Sequence, residues 1–193
     1  MRVETTTRMG RPSGDLVVRY PDGSVCMCFR FKAGMPVGSV KAFTTRPEPA
    51  LAWVGWFRNG VLSGPSKVYT NGKVVSACSF WLGVAHGPAM RETMDGNVST
   101  CHFAVGKLRG VQRDRAANGS VVHRCKWLDD YKVDQELWWD NENKPVARHW
   151  YYQPVAVDAD EIKKTWLGSH YFWRDLAGSV VSFVTSVCKN RRK

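Results

Sequence analysis

Apolar and polar positions alternate with period two over much of the chain. Val25, Met27, Phe29 and Phe31 fall on one side, with Arg30 and Lys32 on the other. Val121, His123, Cys125 and Trp127 oppose Val122, Arg124 and Lys126 in the same way. That period predicts half-buried strands rather than helices. The strands are punctuated by Asp22-Gly23, Asn71-Gly72, Asp95-Gly96 and Asn118-Gly119. Such pairs reach positive φ cheaply and mark hairpin turns. A second punctuation follows each first one, as G-x-x-x-G at Gly34/Gly38, Gly60/Gly64, Gly83/Gly87 and Gly106/Gly110.

The punctuation repeats at about 23 residues, and periods of that size signal a repeat architecture. An aromatic stands three residues before the first glycine of each pair, at Phe31, Phe57, Phe80 and Phe103. Trp127 holds the same place before Asp130, in a fifth copy that has lost its glycines. Phe29, Gly55, Cys78, Cys101 and Cys125 come two residues earlier still. One Asp-Gly turn is missing, and counting places it at Pro47–Pro49. Five copies therefore run from about residue 20 to 139, and Asn141-Glu142-Asn143 opens a sixth. The expected fold is mainly β: an elongated antiparallel meander of hairpins with an aromatic column on one face. Repeats of this kind contact only their neighbours and need capping at their ends.

The stretches YPDGSVCMCFRFKAGMPVG, YTNGKVVSACSFWLGVAHG and TMDGNVSTCHFAVGKLRG resemble the MORN repeat family, in its roughly 23-residue variant. The C-x-F-x-x-G-x-x-x-G form at Cys78–Gly87 and Cys101–Gly110 is similar to MORN-type repeats of large double-stranded-DNA viruses. The resemblance implies β-hairpin repeats over about 20–152 and a binding role rather than catalysis. On this reading residues 1–15 are a flexible polar arm, 16–152 the repeat domain and 153–193 a helical tail with a basic end.

The period changes in the tail. Ile162, Trp166, Trp173, Leu176, Val180, Val184 and Val187 recur at helical spacing. Asp158 or Asp160 can cap the start of a helix. A helix over 160–188 would be about 43 Å long, and Gly168 and Gly178 are places where it could break. Three roles are open for it: capping the apolar sheet face, docking on a partner, or lying on a membrane. The partner-binding set in the tail is Trp166, Trp173, Leu176, Val180, Val184, Lys189, Arg191, Arg192 and Lys193, and the tail is expected to be the main anchor.

Charge narrows the partners. The chain has 193 residues, with 28 Lys+Arg against 17 Asp+Glu and a formal net charge of +11, which suits an anionic partner. A basic band holds Lys107, Arg109, Arg113, Arg115, Arg124 and Lys126, and the acids Asp129, Asp130, Asp134, Glu136, Asp140 and Glu142 follow it. Nucleic acid is the less favoured partner, because the aromatics form core-facing columns instead of interleaving with arginines. No apolar leader opens the chain, and the longest apolar stretch, Leu176–Cys188, is shorter than the roughly 20 residues a spanning helix needs. An intracellular, reducing compartment is expected, or a virion if the viral likeness holds.

Little in the sequence points to chemistry. Cys78, Cys101 and Cys125 recur on alternate strands about 9.6 Å apart, too far for the ~7 Å limit of a disulfide, so they read as reduced core residues. Cys26-x-Cys28 lacks a second ligand pair for zinc. His86, His102, His123, His149 and His170 join no nucleophile motif, and there is no P-loop. The expectation is a non-catalytic scaffold without cofactor, metal or small-molecule substrate, holding other structural proteins together. The likeness to viral repeats makes a minor capsid-associated protein its most concrete form. The rivals are an anionic-membrane-surface module and an antitoxin-like binding protein.

Overall fold

A computed structural model describes residues 2–44, 49–140, 142, 144–156 and 159–190, with side chains at 152–162, 165, 172–173 and 183–190 outside that description. The chain is mainly β, one antiparallel meander sheet followed by a helix. The strands are β1 Arg2–Arg8, β2 Arg11–Arg19, β3 Val25–Lys32, β4 Met35–Pro36, β5 Gly38–Thr44, β6 Ala50–Arg58, β7 Val61–Thr70 and β8 Lys73–Trp81. They continue as β9 Val84–Glu92, β10 Val98–Ala104, β11 Lys107–Leu108, β12 Gly110–Arg115, β13 Val121–Leu128, β14 Tyr131–Trp139 and β15 Pro145–Ala156. Helix α1 spans Ala159–Asn190. Neighbours in the sheet follow chain order, with β4 and β11 as two-residue ladders beside β3 and β10.

The two kinds of turn differ in backbone. At the G-x-x-x-G turns both central residues have positive φ, for example Leu82 (48°) with Gly83 (84°) and Val105 (50°) with Gly106 (79°). That is the type I′ geometry whose twist matches the flanking strands. At Asp22-Gly23, Asp95-Gly96 and Asn118-Gly119 only the glycine is positive. There the acid or amide side chain closes the turn, as Asn118 Oδ1 accepts from the Ser120 amide (3.0 Å) and hydroxyl (2.7 Å). The fifth copy keeps its turn without glycine: Asp130 (φ 77°) and Asp134 (φ 68°) take both glycine places. Aspartate tolerates this region better than most residues. The missing Asp-Gly turn at Pro47–Pro49 falls largely on residues 45–48, and the start of a sixth copy on Asn141 and Asn143, both outside the described residues.

The second glycine has its own task. In β6–β7 the pairing Phe57↔Leu62 slips by two residues to Gly55↔Ser66. In β8–β9, Phe80↔Ala85 slips to Cys78↔Ala89. In β13–β14, Lys126↔Val133 slips to Arg124↔Leu137. Each slip brackets Gly64, Gly87 or Asp134, so the repeat carries a bulge that bends and twists every hairpin alike.

The same device corrects the reading of residues 1–15. They are not a free arm: β1 and β2 form a hairpin, with Arg8↔Arg11 at its turn and the same slip between Thr5 and Thr7. Gly10-Arg-Pro-Ser-Gly14 is a further G-x-x-x-G. The Gly34 amide donates to the Pro12 carbonyl (3.1 Å) just as Gly60 donates to Pro36 (3.0 Å), Gly106 to Ala85 (2.8 Å) and Asp130 to Leu108 (3.1 Å). The polar sequence RVETTTR misleads because an edge strand has one neighbour and leaves most of its residues in water. The boundary at 153 also moves, since β15 continues to Ala156.

The chain divides into two compact units, Met1–Val74 with Ser169–Lys193, and Val75–Gly168. In the first, Leu16, Met27, Phe29, Phe31, Val40, Trp53, Phe57 and Leu62 are buried. In the second, Cys78, Phe80, Cys101, Phe103, Leu108, Cys125 and Trp127 are buried. The aromatic column and the position two residues before it thus face inward in every copy. Cys78, Cys101 and Cys125 are free thiols. Burial pushes Cys78 and Cys125 up to about 12 and Cys101 higher still, which keeps them protonated and unreactive as bare thiols. Among the described residues, no helix is long and apolar enough to cross a membrane.

Two glycines separate backbone from packing. Both Gly106 (φ 79°) and Gly119 (φ 86°) lie in the left-handed region, but a Cβ at Gly106 would come 3.0 Å from Val84 Cγ1, whereas one at Gly119 meets nothing within 4 Å. Gly119→Ala should therefore cost only the backbone penalty, roughly 1–2 kcal/mol. Gly106→Ala should cost more, and equal losses in chemical denaturation would show that the turns do not stack as described.

Candidate functional site

The basic band lies on the exposed face of the second unit. The pleat places Gln112, Cys125 and Trp127 inward, so Arg113, Arg124 and Lys126 point outward. Lys107, Arg109, Arg113, Arg115, Arg124 and Lys126 are all exposed. Their surroundings differ. Arg109 sits 3.8 Å from Asp129, and Lys126 3.2 Å from Asp134. Arg115 donates to the Gly119 carbonyl at 3.1 Å, bracing its own turn. Arg113 and Arg124 are direct cross-strand partners. Like charges placed opposite one another weaken a sheet, so this pair costs the isolated fold stability that an anion on this face would return.

Of the acidic band, Asp129 and Asp134 stay at the surface beside Arg109 and Lys126, and Asp130 and Glu136 do not. Asp130 points to the protein: its carboxylate accepts from the Leu108 amide at 2.7 Å and pairs with Lys163 of α1 at 2.8 Å. Glu136 turns inward and is 2% exposed.

Glu136 belongs to a cluster on the inward face of β12–β15 whose members come from four strands. His123 donates from Nδ1 to Asp114 (2.7 Å) and from Nε2 to Glu136 (2.7 Å). Ser99 and Gln112 also donate to Asp114. Glu136 accepts from Lys132 (2.5 Å) and from the Tyr151 hydroxyl (2.5 Å). Gln112 Oε1 in turn accepts from Trp127 Nε1 at 3.0 Å. Burial disfavours the charged ring of His123, but the two carboxylates outweigh it and raise its pKa. Burial likewise disfavours the ionised forms of Asp114 and Glu136, and their donors outweigh it and lower both pKa values. Two anions and two cations therefore share a small, partly buried volume. The signal for it was present as His123-x-Cys125 on one strand face with Glu136 on the next strand of the same hairpin.

Among its described residues, the tail helix buries one stripe. Trp166 is 3% exposed and stacks on Arg91, whose guanidinium carbon lies 5.1 Å from the ring centroid. Leu167 is also buried. In the other unit, His170 and Ala177 are fully buried. The buried stripe thus runs through His170 and Ala177, and Leu176 and Val180 are only half-buried. This corrects Trp166 as a partner-binding residue: its indole is already covered by the protein. The side chains of Trp173, Val184 and Lys189 lie outside the described residues, as do Arg191, Arg192, Lys193 and Asp158. The helix is continuous through Gly168 and Gly178.

His170 forms a second polar contact of interest. Its Nδ1 shares a hydrogen bond of 2.8 Å with the Ser66 hydroxyl, and Ser66 Oγ accepts from Trp53 Nε1 at 2.8 Å. A Ser–His pair at this distance is the geometry of an activated nucleophile. Here Ser66 is 1% exposed and His170 0%, and burial pushes the imidazole down to about 4, where it is a poor base at neutral pH. The trio clips α1 to β6 and β7. No protein-family model matches the chain, and no curated protein matches it.

Proposed function

We propose that the chain is a non-catalytic scaffold of the MORN-like repeat type, docking an acidic partner protein on the outward face of β11–β13. Its most concrete form is a minor structural protein associated with the capsid of a large DNA virus, a step that rests on the likeness of its C-x-F repeats alone. The observation that carries the docking reading is the exposed Arg113–Arg124 cross-strand pair, with Lys126 outward two residues along the same strand as Arg124. Such a surface needs no pocket and no reactive group. The tail supports this by covering the sheet's apolar side instead of offering Trp166 outward.

Double charge reversal, Arg113→Glu with Arg124→Glu, should weaken association with the partner by tenfold or more while leaving the melting temperature unchanged, because the reversed pair keeps the same like-charge opposition. Binding by the parent should also fall as salt rises, because exposed charges are screened beyond about 8 Å at physiological ionic strength. Undiminished binding of the double variant at low salt would remove this face from the account.

A second reading has its own observation. Trp81, Leu82 and Val105 are 58%, 64% and 72% exposed at the turn tips beside Lys107. Apolar tips next to lysine suit an anionic membrane surface. Flotation with phosphatidylserine vesicles, parent against Trp81→Ser with Leu82→Ser, separates the two readings.

A further inference from the structure

We propose that His123, Cys125 and Glu136 form a binding site for a divalent transition metal of the zinc type. His123 and Cys125 are two residues apart on β13 and share its inward face, and Glu136 reaches them from β14. One ligand atom from each lies within 4.8 Å of the others. Zinc bonds of about 2.0–2.3 Å to nitrogen, oxygen and sulfur need only small movements from there. This inference stands apart from the docking reading, which concerns the opposite face of the same strands.

The surroundings go beyond three residues in proximity. Metal-binding histidines commonly donate their other ring nitrogen to a carboxylate, which fixes the ring. His123 Nδ1 does so to Asp114, leaving Nε2 directed at Glu136 Oε1. Glu136 is held in the same manner, with Tyr151 on Oε2 and Oε1 turned to the histidine. The orienting groups come from β12 and β15 and the ligands from β13 and β14, so four successive strands converge on one point.

The position already favours a cation. Lys132 Nζ sits 2.5 Å from Glu136 Oε1, over the rings of Trp127 (5.7 Å) and Tyr151 (6.0 Å). A long lysine can withdraw its ammonium when a metal takes its place. The side chains of Lys132 and His123 are 18% and 16% exposed, which gives an entry route from that side. A thiolate and an imidazole beside one carboxylate select zinc or cobalt over magnesium or calcium. Binding balances as loss of one proton from the Cys125 thiol and one from the His123 imidazolium for each dication bound. Water fills the remaining coordination position.

The test uses the full chain without a histidine tag, stripped with chelator and titrated with Zn²⁺ against a chromophoric competitor, then with Co²⁺ in the spectrophotometer. One zinc per chain is expected, with a near-ultraviolet sulfur-to-cobalt charge-transfer band. Cys125→Ser should abolish that band and weaken zinc at least tenfold. Asp114→Asn should weaken it by about 10–100-fold, the usual effect of losing a histidine's orienting carboxylate. Cys101→Ser, in the same column one hairpin away, should bind as the parent does. Lys132→Met should bind more tightly, and it keeps the test decisive if Cys125→Ser fails to fold. Cobalt binding without a sulfur band, equal affinity in Cys125→Ser, or no gain in Lys132→Met would each overturn the site.

Discussion

Phe103→Ala should lower the unfolding free energy by about 3–5 kcal/mol, the range for deleting a buried aromatic. Phe103 is 0% exposed and sits at the repeated position shared with Phe31, Phe57, Phe80 and Trp127. Its neighbours in the column are fixed by the same turn and the same bulge, so the sheet cannot easily close over the cavity. The cost should fall in the upper part of that range for this reason. Equilibrium denaturation measures it, and a loss below about 1 kcal/mol would mean that the repeat register places some other side chain in the core.

Acid should detach the tail helix before it melts the sheet. His170 is neutral in the folded protein, with its pKa held down to about 4 by burial, against about 6.5 in an unfolded chain. Between those values the unfolded chain binds the extra proton, so stability rises with pH across the window. The contribution is complete above 6.5 and is lost as pH falls toward 4. At roughly 1.4 kcal/mol per pKa unit, the loss is on the order of 3 kcal/mol. His123 works the other way: its raised pKa stabilises the fold at low pH, and that contribution fades as pH climbs through the folded value. Replacing His170 with Gln should therefore remove the loss between pH 6.5 and 4, a range in which the His123 contribution is constant because its ring is protonated in both states. Chemical denaturation of parent and variant across that range reads the difference, and parallel curves would show that His170 does not hold the helix.

The turns carried most of the legible information. A positive φ demands glycine, asparagine or aspartate, so the G-x-x-x-G register marked the hairpins directly and set the aromatic column inward. The N-terminal hairpin escaped because its Gly10/Gly14 pair follows Thr7 where the other copies have an aromatic. The apolar spacing of the tail draws the helix face through Trp173 and Leu176, whereas the buried stripe includes His170 and Ala177. Histidine counts as polar in a hydrophobic pattern, and its burial goes with a bond to Ser66, 104 residues away, which no local spacing shows. The cluster around His123 was hidden for a related reason. His123-x-Cys125 and Glu136 share one hairpin, but the slip at Asp134 sets which β14 residue meets them, and Asp114 and Tyr151 come from the flanking strands. Polarity also misled at 129–142, where the acids read as a surface band but Glu136 and Asp130 turn toward partners inside the protein.

Where an acidic partner touches the chain decides whether the β11–β13 face is the docking surface. Zero-length carbodiimide cross-linking joins an amine to a carboxylate in direct contact, and Lys107 and Lys126 place two such amines on the face of the Arg113–Arg124 pair. In the native assembly, mass spectrometry should find Lys107 and Lys126 joined to Asp or Glu of another protein. Intermolecular links confined to Lys163, Lys164 and Lys189, with Lys107 and Lys126 unlinked, would contradict the account and make the tail the docking element.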